Sequence, residues 1–584
     1  MRQDFFSIIR THTIQIVQGG FVLRKAKLVL AIISVLALLA GCSSSKSSGS
    51  SASPADSAAA ATAAASAAPS AAAGGSKVIN LGKDVELASM DSAIATDGLS
   101  FEAIAATIEG LYTVDGDGVP QLAIAEKADV SPDGKTYTFT IRDAKWSNGT
   151  PVSAKDFEFA WKRLVNPATA SEYSFIMGVA GVKNADDIVA GKKKIDELGV
   201  KAKDDKTLVV ELDRPVAFFK SLLAFPSFFP INEAFYKEKG DQYALTAGAL
   251  LANGPFKMKT WEVGGTTFFL EKNPDYYDAA KVQVDGLNYK VIKDSQQSAL
   301  AYDNGDLDYV ALSGEQITKY KSNPEYHSIM AGYLWYLSPN QKVKGLENVN
   351  LRKALSLAFD KKAIVDDILK DGSTVADFAV PTLLATGPDG KDFRETAGKY
   401  PTTNKEEAKK YWEKAKSELG ISSIKLELLF EDTESATLVA QFIQSEIEST
   451  LPGVTFDLKS QPKKNRIELM QKGDYQVGLT RWGPDYADPM TYLDMWITGS
   501  PNNYGFWSNK EYDDLIQRAS KGELAGKPEE RWEALKKAEG MVMDNAVIFP
   551  IYQKGNAVLI KPNVTGLEFH SVGVGVYYKN AVKK

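Results

Sequence analysis

Lys425-Leu426-Glu427-Leu428-Leu429-Phe430 opens, and Tyr475-Gln476-Val477-Gly478-Leu479 closes, the stretch of sequence whose periodicity decides the fold. The first run is apolar enough for a strand. Ala436 to Ile447 follows as a helix, with Leu438, Phe442, Ile443 and Ile447 expected on one face. Val454 to Leu458 reads as a second strand, a short helix is expected around Arg466 to Met470, and Tyr475, Val477 and Leu479 alternate into a third strand. Strand, helix, strand, helix, strand predicts parallel right-handed crossovers and so an α/β fold. Open sheets of this kind collect ligands beyond the carboxyl ends of their strands. Trp482, Gly483, Pro484 and Asp485 stand immediately past the third strand, so an indole and a carboxylate occupy the place where topology expects a ligand.

Towards the N-terminus the same reading gives a short strand at Val78-Ile79-Asn80-Leu81, then a helix-like segment from Ala95-Thr96-Asp97-Gly98 to Glu109-Gly110. Tyr137, Phe139 and Ile141 alternate with polar residues as a half-buried strand, and Asn148-Gly149 marks a turn. Ser153 is a plausible N-cap with Asp156 three residues on, while Phe157, Ala160, Trp161 and Leu164 recur at the spacing of one buried helix face. Leu208, Val210 and Leu212 alternate again. Trp146 and Trp161 are expected in the core, His327 and His570 in loops or at the surface, and Lys192 to Lys194 as a solvated charge run.

At the N-terminal end, Arg24, Lys25 and Lys27 precede an apolar run from Leu28 to Leu39, too short to span a bilayer but suited to a secretory signal. Leu39-Ala40-Gly41-Cys42 follows, and it resembles the lipobox of bacterial lipoproteins, with the chain's single cysteine as the residue to be acylated. More than one acyl chain anchors a protein stably. Residues 1–41 are thus expected to be a signal region. Gln18-Gly19-Gly20 can be encoded as a ribosome-binding sequence ahead of Val22 or Leu23, so residues 1–21 are expected to precede the natural start. Residues 42–77 are nearly all Ser, Ala, Gly and Pro and are expected to form a disordered tether with a reach of about 30 Å.

Composition narrows the function classes. The chain of 584 residues has a formal net charge of −6, and removing residues 1–41 takes away more basic than acidic groups. No basic patch suggests nucleic acid. With one cysteine no internal disulfide can form, so stability rests on apolar cores, and a chain this long is expected to form several lobes. A secreted hydrolase is the rival from another class, yet the sequence has no HExxH helix, no GxSxG elbow and no available cysteine nucleophile. It has no histidine cluster for a metal either. No catalytic residue, metal or cofactor is expected.

Several motifs then occur in order. Glu109-Gly110-Leu111-Tyr112, Ser131-Pro132-Asp133-Gly134, Lys145-Trp146-Ser147-Asn148-Gly149-Thr150-Pro151-Val152, Asn253-Gly254-Pro255-Phe256-Lys257, Glu271-Lys272-Asn273-Pro274-Asp275-Tyr276-Tyr277, Leu351-Arg352-Lys353-Ala354-Leu355 and Trp482-Gly483-Pro484-Asp485-Tyr486 together resemble the extracellular solute-binding proteins, family 5, of peptide ABC transporters. Pro167 to Ser171, Asn184 to Gly191 and Leu198 to Lys201 are similar to the oligopeptide-binding branch. The resemblance covers residues 78 to 584.

It implies a three-lobed fold of the periplasmic-binding-protein kind, type II, in the large peptide-binding subclass, closing like a hinge over its ligand. Lobe I would comprise residues 78–108, 232–331 and 553–584, lobe II 109–231 and lobe III 332–552. It further implies that Asp485 holds the α-amino group of a bound peptide, that backbone groups of Arg481, Trp482 and Gly483 pair with its main chain, and that Thr96 to Gly98 and Tyr173 line the site. The alternative for Asp485 is a turn residue satisfying Gly483-Pro484. Leu479 stands where some relatives carry an arginine, with Arg481 nearby but out of phase. The function implied is a monomeric, lipid-anchored carrier on the outer face of the cell membrane, delivering oligopeptides to an ABC permease. Alternatives on the same scaffold are dipeptides, another small solute or a signalling pheromone peptide.

Overall fold

The computed structural model describes residues 77–584. The signal region, Cys42 and the tether up to residue 76 lie outside the described residues.

An eleven-stranded mixed sheet runs through the molecule. The strand Ile424–Glu431 pairs in parallel with Val454–Gln461 along eight residues and with Val477–Trp482 at Leu428 and Leu429. This is the expected parallel unit. Its helix, Glu434–Thr450, buries Ala436, Val439, Ala440, Ile443 and Ile447, but Leu438 is 44% exposed and Phe442 only half-buried. The expected face was out of phase. At 3.6 residues per turn Leu438 points about 140° away from Ile443, whereas Val439, Ala440 and Ile447 lie within about 60° of it.

Next in the sheet come two long antiparallel strands, Tyr326–Pro339 and Phe549–Ile560. Beyond them lie Tyr309–Ala311, Val78–Lys83, Gly286–Val291, Thr267–Lys272 and Phe256–Thr260. The expected boundaries at 331/332 and 552/553 thus fall inside continuous strands. Between Met330 and Leu334 the pairing shifts register, so that Ala331, Gly332 and Tyr333 oppose the single residue Lys554. A bulge of this kind bends and twists the ladder locally.

A second, four-stranded antiparallel sheet, of Ala125–Val130, Thr136–Ile141, Thr207–Glu211 and Val200–Ala202, lies within residues 109–231. The helix Ala154–Val165 packs on it and buries Phe157, Ala160, Trp161 and Leu164, as their spacing predicts. Asp156 accepts from the Ser153 backbone N–H at 2.9 Å and from the Trp146 indole at 3.1 Å, so one carboxylate caps the helix and fixes a core tryptophan. Trp161 donates to the Phe228 carbonyl at 2.9 Å. Both tryptophans are core residues, and Lys192 to Lys194 are exposed. His327 is exposed but sits in the long strand rather than in a loop, and His570 is half-buried.

Candidate ligand-binding site

The strand Val477–Trp482 pairs with Tyr326–Pro339 along its whole length but with Ile424–Glu431 only at Val477 and Gly478. From Leu479 onward one edge has no strand partner. Such an edge is a template for an added extended chain. Leu479 itself is buried in the core, and the Arg481 guanidinium reaches Glu431 at 2.5 Å while lying 4.8 Å from the Trp335 ring centre. Burial alone would raise the Glu431 pKa, but Arg481 and Arg466 outweigh it and hold the carboxyl below its usual range. Neither position offers an unpaired cation.

Asp485 lies three residues beyond the strand end, and its backbone N–H donates to Thr491 Oγ1 at 3.2 Å. Its carboxyl accepts from the Tyr173 hydroxyl at 3.1 Å. Enclosure by protein pushes the Asp485 pKa up to about 7, against the lowering effect of that hydrogen bond. Tyr173 is held in turn by edge contact with Phe101, at 5.5 Å, and stacking on Phe225, at 5.6 Å. Asp485 also borders a cavity of about 640 Å³ whose wall includes Phe225, Leu383, Leu384, His570 and Ser571. None of the other six expected site residues lines that cavity.

Tyr333 joins the remaining parts. A Cβ on Gly483 would stand 2.4 Å from its ring, and one on Gly98 would stand 3.9 Å from its hydroxyl. This 42% exposed tyrosine therefore lies between the two expected segments, Thr96 to Gly98 and Arg481 to Gly483. The Tyr492 hydroxyl, 2.5 Å from the Gly332 carbonyl and 3.2 Å from that of Trp482, ties the bulge to the same strand end. Asp97 caps the helix Gly98–Thr107 by accepting from the Ser100 N–H at 3.0 Å, and Thr96 stands exposed just before it, outside the contacts that join the others. Tyr333 was missed by sequence reasoning: inside an apolar strand it reads as one more core residue, and only the bulge turns it outward. Among the described residues no cluster of His, Cys, Asp and Glu could hold a metal, and no helix is long and apolar enough to cross a membrane.

Residues 119–504 match the bacterial extracellular solute-binding proteins, family 5 (middle region), and the chain belongs to that family. It is 35% identical over 524 residues to the dipeptide-binding protein of Lactococcus lactis subsp. cremoris, a match covering 87% of this chain and 94% of that one. The substrate-binding domain of an oligopeptide ABC transporter from Bacillus anthracis is 41% identical, with a TM-score of 0.79 over 88% of this chain and 99% of that one. OppA of Listeria monocytogenes bound to peptide is 37% identical, with a TM-score of 0.78 over 88% and 100%. The mixed α/β architecture is that of these binding proteins, and the chain is a solute-binding protein rather than an enzyme.

Proposed function

We propose that this protein captures oligopeptides outside the cell and delivers them to a membrane ABC permease. It works as a monomer and is held to the outer face of the membrane by an acylated Cys42. One observation supports the reading above the rest: a strand edge without a partner from Leu479 onward leads straight to the half-buried carboxyl of Asp485. An edge of this kind binds any peptide main chain, and a carboxylate at its end selects a free amino group. Arg481, Trp482 and Gly483 supply the edge, Tyr173 steadies the carboxylate, and Thr96 and Gly98 meet the peptide from the opposite side. The three lobes close over the ligand by bending where Ala331 to Tyr333 bulge.

The deciding experiment is native mass spectrometry of the folded chain freshly purified from cells, with sequencing of what it releases. A ladder of peptides of mixed sequence, lost on Asp485→Asn substitution, supports the carrier. A second reading, a dipeptide carrier, is favoured by the Lactococcus lactis relative, and release of dipeptides alone would establish it. A single non-peptide solute would overturn both. Cys42→Ser should release the protein into the medium. Retention at the membrane would refute the anchor.

A further inference from the structure

The cavity beside Asp485 has more room and more charge than an amino group needs. Its charged lining residues are Asp117, Asp392, Glu395 and Asp485, with no Lys or Arg among them. The Asp392 carboxylate is committed, accepting from the backbone N–H of Arg394 and from that of Leu383, each at 2.8 Å. Asp117 and Glu395 are exposed at the wall, and Glu395 uses one oxygen to accept from the Asp392 N–H at 3.3 Å, leaving the other free. His570 adds a ring nitrogen, Nε2, that is buried without a hydrogen-bond partner.

The opposite character of the wall is apolar. Leu383 is 59% exposed with φ of 60°, a left-handed conformation unfavourable for a bulky residue. Two contacts hold it there: the Asp392 carboxylate on its N–H, and the Ser571 hydroxyl, which donates to its carbonyl at 2.6 Å. Leu384, Phe225 and Val572 continue the apolar surface. A room with an apolar wall, unneutralised carboxylates and no cation of its own complements a long aliphatic stem ending in a positive charge. Concave protein walls concentrate such a field.

We propose that this cavity receives the side chain of a ligand's first residue and selects lysine or arginine there. The proposal rests on Asp485 taking the ligand's amino group, because that contact sets the first side chain at the cavity wall. Asp117 and Glu395 are the specificity-determining residues, and Leu383 packs along the stem.

The test is calorimetric titration of the purified protein, freed of its natural ligand, with two peptides of the same sequence except that one begins with lysine and the other with norleucine, which matches its length without its charge. The lysine peptide is expected to bind about tenfold more tightly at low salt, with the preference shrinking as salt rises. The double variant Asp117→Asn with Glu395→Gln is expected to abolish the preference while leaving the norleucine peptide's affinity unchanged. Equal affinity for the two peptides, both still dependent on Asp485, would overturn the proposal and leave the peptide carrier standing. Binding of both peptides undiminished by Asp485→Asn would overturn the carrier reading beneath it as well.

Discussion

Tyr173 donates a 3.1 Å hydrogen bond to Asp485 across 312 residues of chain, joining the region that carries the four-stranded sheet to the end of a strand in the large one. The bond favours the charged form of Asp485 against the burial that disfavours it. Tyr173→Phe should therefore weaken peptide binding by about 1 kcal/mol, the net worth of a hydrogen bond. Asp485→Asn should cost about 2–5 kcal/mol, much of it from an ammonium left without its counter-charge. Titration calorimetry with peptides eluted from the protein itself measures both. Equal losses would mean that Tyr173 contacts the ligand directly instead of acting through Asp485.

Affinity should depend on pH with a definite sign. The empty site takes up a proton as pH falls through about 7, whereas an ammonium ligand holds the carboxyl ionised. Binding must then expel that proton, so affinity should fall by up to about tenfold per pH unit below 7, and it should fall again above about 8, where the ligand's own amino group loses its proton. The Asp485→Asn variant should lose the acid-side slope.

The same carboxyl should destabilise the empty protein at alkaline pH. Its folded pKa lies above the unfolded value, so its contribution to stability is fully present below the ordinary aspartate range and is lost as pH rises towards 7. At pH above 7 the unliganded Asp485→Asn protein should unfold at higher urea than the parent, by about 1–3 kcal/mol after allowing for the carboxyl's partial exposure. A less stable variant at that pH would show that Asp485 is held ionised by groups of its own fold.

Gly483→Ala should act through Tyr333. The added methyl would stand 2.4 Å from the ring, and because Tyr333 is 42% exposed the ring can swing away. Stability should fall by no more than about 1–2 kcal/mol, while ligand affinity drops about tenfold or more. In a double-mutant cycle with Tyr333→Ala the two losses should fail to add. Additive losses would separate the two residues.

Arg531 pairs with Asp488 through two 2.8 Å bonds, and both side chains are buried. Asp488 follows Asp485 in the same loop, so the pair anchors the segment that presents the carboxylate. Arg531→Ala should cost about 3–5 kcal/mol by stranding a buried charge, read from urea unfolding. Adding Asp488→Asn should recover part of it, and no recovery would mean that the arginine acts through packing.

How far the sequence reached is clear at particular residues. The parallel unit from Ile424 to Trp482 was legible because apolar period and length separate strands from helices, and so was the capped helix Ala154–Val165 with its buried stripe. The helix face at Leu438 was misread because apolar residues there outnumber the positions the sheet can cover. Asp485 could be placed past a strand end by topology alone. Its partner Tyr173 came only from resemblance, since no local pattern links residues 312 apart. Tyr333 and the acidic cavity escaped altogether. They arise where a bulge and several distant segments converge, and pairwise spacing carries no trace of that.

The strand Phe549–Ile560 sits inside the large sheet, between Tyr309–Ala311 and Tyr326–Pro339, although it lies far from both in sequence. It is the strand that links the two parts of the sheet, since Tyr326–Pro339 pairs on its other side with Val477–Trp482 and Tyr309–Ala311 with Val78–Lys83. Closing the large sheet into one unit thus waits on pairing between segments distant in sequence, and such non-local pairing is slow to form.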